Sequence, residues 1–322
     1  MDRLPRALRL VTLLDTAVAS TNLGDRIVME AVRAELAEPL RDAFVYSVAS
    51  HEWMGRKSRS LVRRADFAIA GGTSLLGSHM WRRPVWKLSP LDALGGLEIT
   101  LMGVGWYHTR RRPDLYTRLL LRRVLSRWRL HSVRDARTQA LLASLGVPNA
   151  INTGCPTLWS LTPEHCARIP REKAERVVTA LNTYLPRPDL DRRLLATLRR
   201  HYREVWFWTQ TGSDREYARR LDPDLIHLEP RLEALDGLLG GEVDYVGNRL
   251  HAGIRALQKG RRAVIVEVDG RAREMGADFG LPTVERDAFE RLARMIEGKL
   301  ETRIELPREA IVRWKAQLGT PA

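Results

Sequence analysis

Residues 244–270, DYVGNRLHAGIRALQKGRRAVIVEVDG, decide the fold. Tyr245 and Val246 form a short apolar strand that stops at Gly247, Ile254 and Leu257 then continue one buried helical face, and Ala263 to Val266 is a second apolar, β-branched strand. A strand that passes through a helix to another strand is the repeating unit of a parallel α/β sheet. The same stretch sets Arg249-Leu250-His251 where the helix begins. A helix start exposes free N–H groups and the positive end of the peptide dipole, so it favours an anion. Asn248 is the expected N-cap, which puts Arg249, Leu250 and His251 in the first turn. A cation there costs about 0.3–1 kcal/mol unless an anion meets it. The competing explanation for His251 is a core imidazole with satisfied nitrogens.

Outward from this stretch the same alternation holds. In the second half, AERVVTALNTY, EVWFWTQT and LIHLE are strands, DLDRRLLATLRRHY, SDREYARRL and RLEALDGLLGG are helices, and FERLARMIEGKLE and REAIVRWKAQLG close the chain as helices. In the first half, LRLVTLLDT, AFVYSVAS, DFAIAGG, LEITLMGVG and LHSVRD are strands. The segments GDRIVMEAVRAELAEPL, RSLVRRA, PDLYTRLLLRRVLSRWR and ARTQALLASLG are helices, the third with Pro113 near its first turn and the last stopped by Gly146. This order predicts two Rossmann-like, doubly wound α/β domains facing a cleft, residues 1–160 and 171–322, separated by the Pro-containing stretch from Pro148 to Pro170. Such sheets take ligands beyond the carboxyl ends of their strands.

The 322 residues, 44% hydrophobic and 29% charged, suit two folded cores, and the formal net charge of +14 points to an acidic partner: nucleic acid, an anionic membrane or a phosphorylated small molecule. Cys155 and Cys166 alone exclude a disulfide framework and fit a reducing compartment. Arg3, Arg6 and Arg9 before LVTLL resemble the start of a signal peptide, but the apolar core is too short and Asp15 ends it. No stretch has the length of a membrane span. A cytoplasmic protein is expected, with a basic segment from Arg110 to Arg137 that is either a solvated face or a docking face for an anionic membrane.

Glycine-rich turns mark other strand ends. Asn22, Gly24 and Asp25 lie between the first strand and first helix, where they either cap the helix or meet a ligand. Gly71, Gly72, Thr73 and Ser74 form a second such turn, without P-loop or dinucleotide spacing, and Gly103 and Gly105 a third. Arg134 and Asp135 stand at the next strand-to-helix junction, where a plain surface ion pair is the alternative.

Taken in order, Asn-x-Gly-Asp at 22–25, Gly-Gly-x-Ser-Leu at 71–75, Gly-x-Gly at 103–105, Ser-Val-Arg-Asp at 132–135 and Arg-Leu-His-Ala-Gly-Ile at 249–254 resemble the polysaccharide pyruvyl transferase family across nearly the whole chain. The sequence departs from the family pattern at Thr73, Asn248, Val268 and Arg271, where glycine, serine or threonine, tyrosine and lysine are usual. The resemblance implies an architecture like that of two-domain, GT-B-like glycosyltransferases, with an acceptor-side first domain and a donor-side second. It implies phosphoenolpyruvate as donor and a saccharide acceptor, lipid-linked acceptors among them, with no further cofactor and no metal. Arg134 and Arg249 would clamp the donor's anionic groups, with Arg271 as a third cation; His251 would be the acid and Asp25 would accept or orient the acceptor hydroxyl. Asn22, Gly24, Gly71, Gly72, Thr73, Ser74, Asn248 and Leu250 would line the substrates. The alternatives are a sugar-nucleotide glycosyltransferase and a non-catalytic binding member of the family. A nucleic-acid partner is not expected, since no recognised binding motif accompanies the charge.

Overall fold

The computed structural model describes residues 8–82, 84–107 and 112–319. Arg3 and Arg6 of the N-terminal cluster, and Arg110 and Arg111 of the basic segment, lie outside the described residues. Two compact units emerge: unit 1 takes the described residues within 1–20, 28–156 and 307–322, and unit 2 takes 21–27 and 157–306.

Unit 1 contains strands β1 (Arg9–Asp15), β2 (Ala43–Ala49), β3 (Phe67–Gly71), β4 (Ile99–Met102), β5 (His131–Val133) and β6 (Ala150–Asn152). All pair in parallel, in the order β2-β1-β3-β4, and a parallel bridge from Val104 to Val133 links this sheet to the β5–β6 pair. Unit 2 contains β7 (Arg176–Thr179), β8 (Glu204–Phe207), β9 (Ile226–His227), β10 (Asp244–Gly247), β11 (Ala263–Glu267) and β12 (Thr283–Glu285), all parallel in the order β12-β11-β10-β7-β8-β9. Both are doubly wound. The winding reverses between β1 and β3 in unit 1 and between β7 and β10 in unit 2, which leaves a crevice at the carboxyl ends there. Strands β3 and β10 are buried at every position, as strands covered on both faces are. Among the described residues no helix is long and apolar enough to cross a membrane.

Several details differ from the sequence expectation. The helix Arg308–Gly319, expected to close the second domain, belongs to unit 1. Its Ile311, Trp314 and Leu318 are buried, and the Gln317 amide exchanges two 2.9 Å hydrogen bonds with the backbone of Leu130. The turn at residues 21–27, assigned from its place in the chain to the first domain, counts with unit 2 because Gln210 holds it. The helix expected over 113–129 spans only Leu115–Val124: Asp114 caps it, accepting from the Thr117 N–H at 2.8 Å, and Pro113 precedes the cap. The helix Gly270–Phe279, ended by Gly280 at φ 74°, was not foreseen.

Candidate functional site

In unit 2 the site grows from the ends of β7 and β10, where the winding reverses. Gly247 admits no side chain, since a Cβ there would stand 2.9 Å from both the nitrogen and oxygen of Ala180. The two strand ends are therefore in direct contact, and the Asn248 N–H donates to the Ala180 carbonyl at 3.0 Å. Asn248 is not the helix cap. Its Oδ1 accepts from the Asn182 N–H at 2.8 Å and its Nδ2 donates to Asp191 at 3.3 Å, so its polar atoms are spent across the crevice. The cap falls to Arg249, which has extended backbone and makes no side-chain capping bond. The helix is Leu250–Gln258, so its first turn begins with Leu250 and His251, both buried, and holds no acid. Helix and sheet pack tightly here, because a Cβ on Gly253 would reach Ile265 Cδ1 at 2.8 Å.

Arg249 is anchored on every side. Its Nε donates to the Leu181 carbonyl at 3.1 Å, its Nη2 donates to Thr211 Oγ1 at 2.9 Å and to the buried Asp214 carboxylate, and its own carbonyl accepts from the Tyr245 hydroxyl at 2.8 Å. Tyr184 bridges it to the next cation: the Arg249 guanidinium lies 5.6 Å and that of Arg271 5.4 Å from the Tyr184 ring centroid. The Tyr184 hydroxyl donates to Asp269 at 3.1 Å and accepts from Arg271. Loss of hydration pushes this hydroxyl's pKa up to about 12, with the Arg271 charge opposing the rise. For Asp269 burial alone would raise the pKa. The Arg271 charge and the hydrogen bonds from Arg271 and Tyr184 outweigh it and hold the carboxyl at about 2.

The Asn22 turn joins the same unit. Asn22 Oδ1 accepts from the Gly24 N–H at 3.0 Å, which is a helix cap, and from Gln210 Nε2 at 2.9 Å. Gln210 packs close over Gly24, where a Cβ would stand 2.7 Å from Nε2 and displace the end of that side chain. Asp25 is buried in the first turn of helix Leu23–Ala37.

In unit 1 the glycine turns after β3 and β4 lock together. The Gly72 N–H donates to the Met102 carbonyl at 2.8 Å, and the Gly105 N–H to the Thr73 carbonyl at 2.8 Å. A Cβ on Gly71 would stand 3.1 Å from Met29 and Val32, and one on Gly72 would collide with Val28. Thr73 sits at φ 50°, a left-handed conformation that a β-branched residue rarely takes. Arg134, following β5, packs its guanidinium over Gly105, where any Cβ would overlap it. It is 1% exposed, and its Nη1 donates to Ser74 Oγ at 3.1 Å. Its Nε and Nη2 make no hydrogen bond among the described residues, and Asp135 Oδ2 stands 3.5 Å from Nε. The other oxygen of Asp135 caps the next helix through the Thr138 N–H at 2.7 Å. The surface ion pair offered as the alternative for Arg134 is thus a buried, loosely closed one.

The structure accordingly gathers Gly72, Thr73, Ser74 and Arg134 in unit 1, and Asn22, Gly24, Asn248, Arg249 and Arg271 in unit 2. Sequence reasoning missed Tyr184, Gln210, Thr211, Asp214 and Asp269. A signal was present for some of them: WTQTGSD directly after β8 places polar groups and two helix-capping types at another strand end.

Matches to solved structures include the wall teichoic acid polymerase TagF soaked with CDPG (11% identity, 96% of this chain and 82% of that chain covered, TM-score 0.45). Another is E. coli heptosyltransferase WaaC with ADP-2-deoxy-2-fluoro heptose (13% identity, 85% and 92% covered, TM-score 0.38). A search of curated proteins finds no match. The family model for polysaccharide pyruvyl transferase matches residues 22–270, which takes in every turn described above. The chain therefore belongs to the polysaccharide pyruvyl transferase family, transferases that act on polysaccharide.

Proposed function

We propose that the protein transfers the pyruvyl group of phosphoenolpyruvate to two hydroxyls of one sugar in a saccharide acceptor, forming a cyclic ketal and releasing phosphate. The observation that supports this most is a coincidence of two independent lines. The most distinctive family element, Arg249-Leu250-His251, falls where the winding of unit 2 reverses, which is where a doubly wound sheet takes its ligand. In this reaction His251 protonates the enol methylene carbon. The cationic carbon so formed is attacked by one sugar hydroxyl, whose proton passes to Asp25. The phosphate then leaves with its bridging oxygen and takes up the proton held by Asp25, and the second hydroxyl closes the ring and returns its proton to His251. Arg134 offers its free N–H groups to the donor's carboxylate or phosphate, a contact that a planar guanidinium makes in two prongs. Arg249 fixes the helix that carries His251, and Arg271 adds positive charge nearby through Tyr184.

Incubation with phosphoenolpyruvate and a panel of lipid-linked and nitrophenyl glycosides, with a nucleotide sugar in a parallel arm, tests the reaction. Phosphate release together with a ketal-bearing acceptor is expected, and turnover only with the nucleotide sugar would make the protein a glycosyltransferase. His251→Ala should lower turnover by about 10²- to 10⁴-fold while donor binding persists, as for loss of a proton-transfer group. Near-normal turnover in that variant would return His251 to a packing role.

A further inference from the structure

The solvent face of helix Leu115–Val124 in unit 1 is unusual. The helix buries Thr117, Leu120, Leu121 and Val124, yet Leu115 and Leu119 are 68% and 52% exposed. They share one helical face with the exposed Arg118 and Arg122. The helix Pro90–Leu94 packs beside it and turns out Leu91 and Leu94, 62% and 77% exposed. Trp81, also exposed, is tied to the start of the longer helix by its Nε1–H, which donates to Asp114 at 2.7 Å. Trp128, just past the helix end, is 85% exposed.

The exposed arginines of the chain are of two kinds, paired and unpaired. Arg41, Arg171, Arg220 and Arg291 each hold a glutamate. Arg118, Arg122, Arg123 and Arg127 are exposed and have no carboxylate partner among the described residues. Arg122 and Arg127 also line a cavity of about 230 Å³ with Gly146, Pro148 and Asn149.

Single exposed leucines are ordinary, but four grouped with tryptophan and unpaired arginines make an interfacial face. We propose that this face docks on an anionic lipid bilayer: the leucines enter the acyl boundary, the tryptophans lie at headgroup depth, and the arginines and their cavity meet lipid phosphates. A second copy of the chain would set like charges against each other, whereas an anionic leaflet neutralises them. The inference is independent of the reaction proposed above.

The test is sedimentation of the full chain with vesicles of phosphatidylcholine alone and of phosphatidylcholine with phosphatidylglycerol, at low and high salt. Circular dichroism checks that each variant stays folded. The chain should follow the anionic vesicles at low salt, and Arg118→Glu with Arg122→Glu should cut partitioning by at least about fivefold, the effect of roughly one surface charge. Wild type should keep a residual bound fraction at high salt, where exposed charges are screened, and Leu115→Ser with Leu119→Ser should abolish it. Equal sedimentation with both vesicle types overturns the proposal, as does a leucine variant that binds like wild type. A concentration-dependent dimer that the leucine variant loses would give the face to a second copy.

Discussion

Arg249 and Arg134 occupy equivalent places, each buried just past a parallel strand and each beside an aspartate, yet they are satisfied very differently. Arg249 is held by Asp214, Thr211 and the Leu181 carbonyl. The Arg134 guanidinium has a single hydrogen bond among the described residues, to Ser74, and an aspartate 3.5 Å away. Burying a charge costs several kcal/mol unless partners replace its water, so a saturated guanidinium is one on which the fold depends. One with spare N–H groups is where an incoming anion gains most. The comparison divides a role that sequence reasoning gave to both residues: under the proposed reaction, Arg134 meets the donor and Arg249 positions the helix.

Methionine at each site sets the two against each other. Arg249→Met leaves Asp214 buried without its counter-ion and should cost about 3–5 kcal/mol in denaturant unfolding, whereas Arg134→Met should cost about 1–3. Calorimetry with phosphoenolpyruvate should give the reverse order, with Arg134→Met abolishing donor affinity. Equal losses of stability would erase the distinction. Arg249→Lys does not separate the two roles, because an ammonium group loses the contacts to Leu181 and Thr211 as well as any contact to donor.

A smaller effect comes from the ion cluster beside Arg249. Asp269 is held at about 2, below its ordinary value, so its contribution is complete above about pH 4 and is lost as pH falls through about 2. Asp269→Asn should therefore be less stable than wild type by about 2 kcal/mol at neutral pH, and the gap should shrink by about pH 3. A gap independent of pH would mean that hydrogen bonding, not charge, carries the contribution. The smallest effect belongs to the looser site of unit 1. Thr73→Gly removes left-handed strain worth about 1–2 kcal/mol and adds unfolded-state entropy worth about 0.5–1, so a gain of up to about 1.5 kcal/mol is expected. A lower melting temperature would show that the threonine side chain makes contacts worth more than the strain.

What the sequence made legible was periodic and local. Strand β3 is an uninterrupted apolar run, and the helices between strands repeat their apolar residues at helical spacing. The helix Gly270–Phe279 escaped because glycines at 270 and 276 and charged residues at 271, 273 and 274 blur its apolar stripe. The motif residues lay at strand ends as expected, because turn chemistry is written in a few adjacent residues. Their partners were not legible. Asp214 reaches Arg249 across 35 positions and Gln210 reaches Asn22 across 188, and only the strand order brings such pairs together. The cap at Arg249 was misplaced by one residue for the same reason: Asn248 turns its amide to a neighbouring strand's loop rather than to its own helix.

The helix Arg308–Gly319 belongs to unit 1 although all of unit 2's remaining chain precedes it. During synthesis, the first unit must therefore wait with an uncovered apolar site until its last helix leaves the ribosome, while every later strand of unit 2 can already have paired. Unit 1 is first to be made and last to be finished, so a chain that stops short of Pro307 should complete its second sheet and leave its first without the buried Trp314.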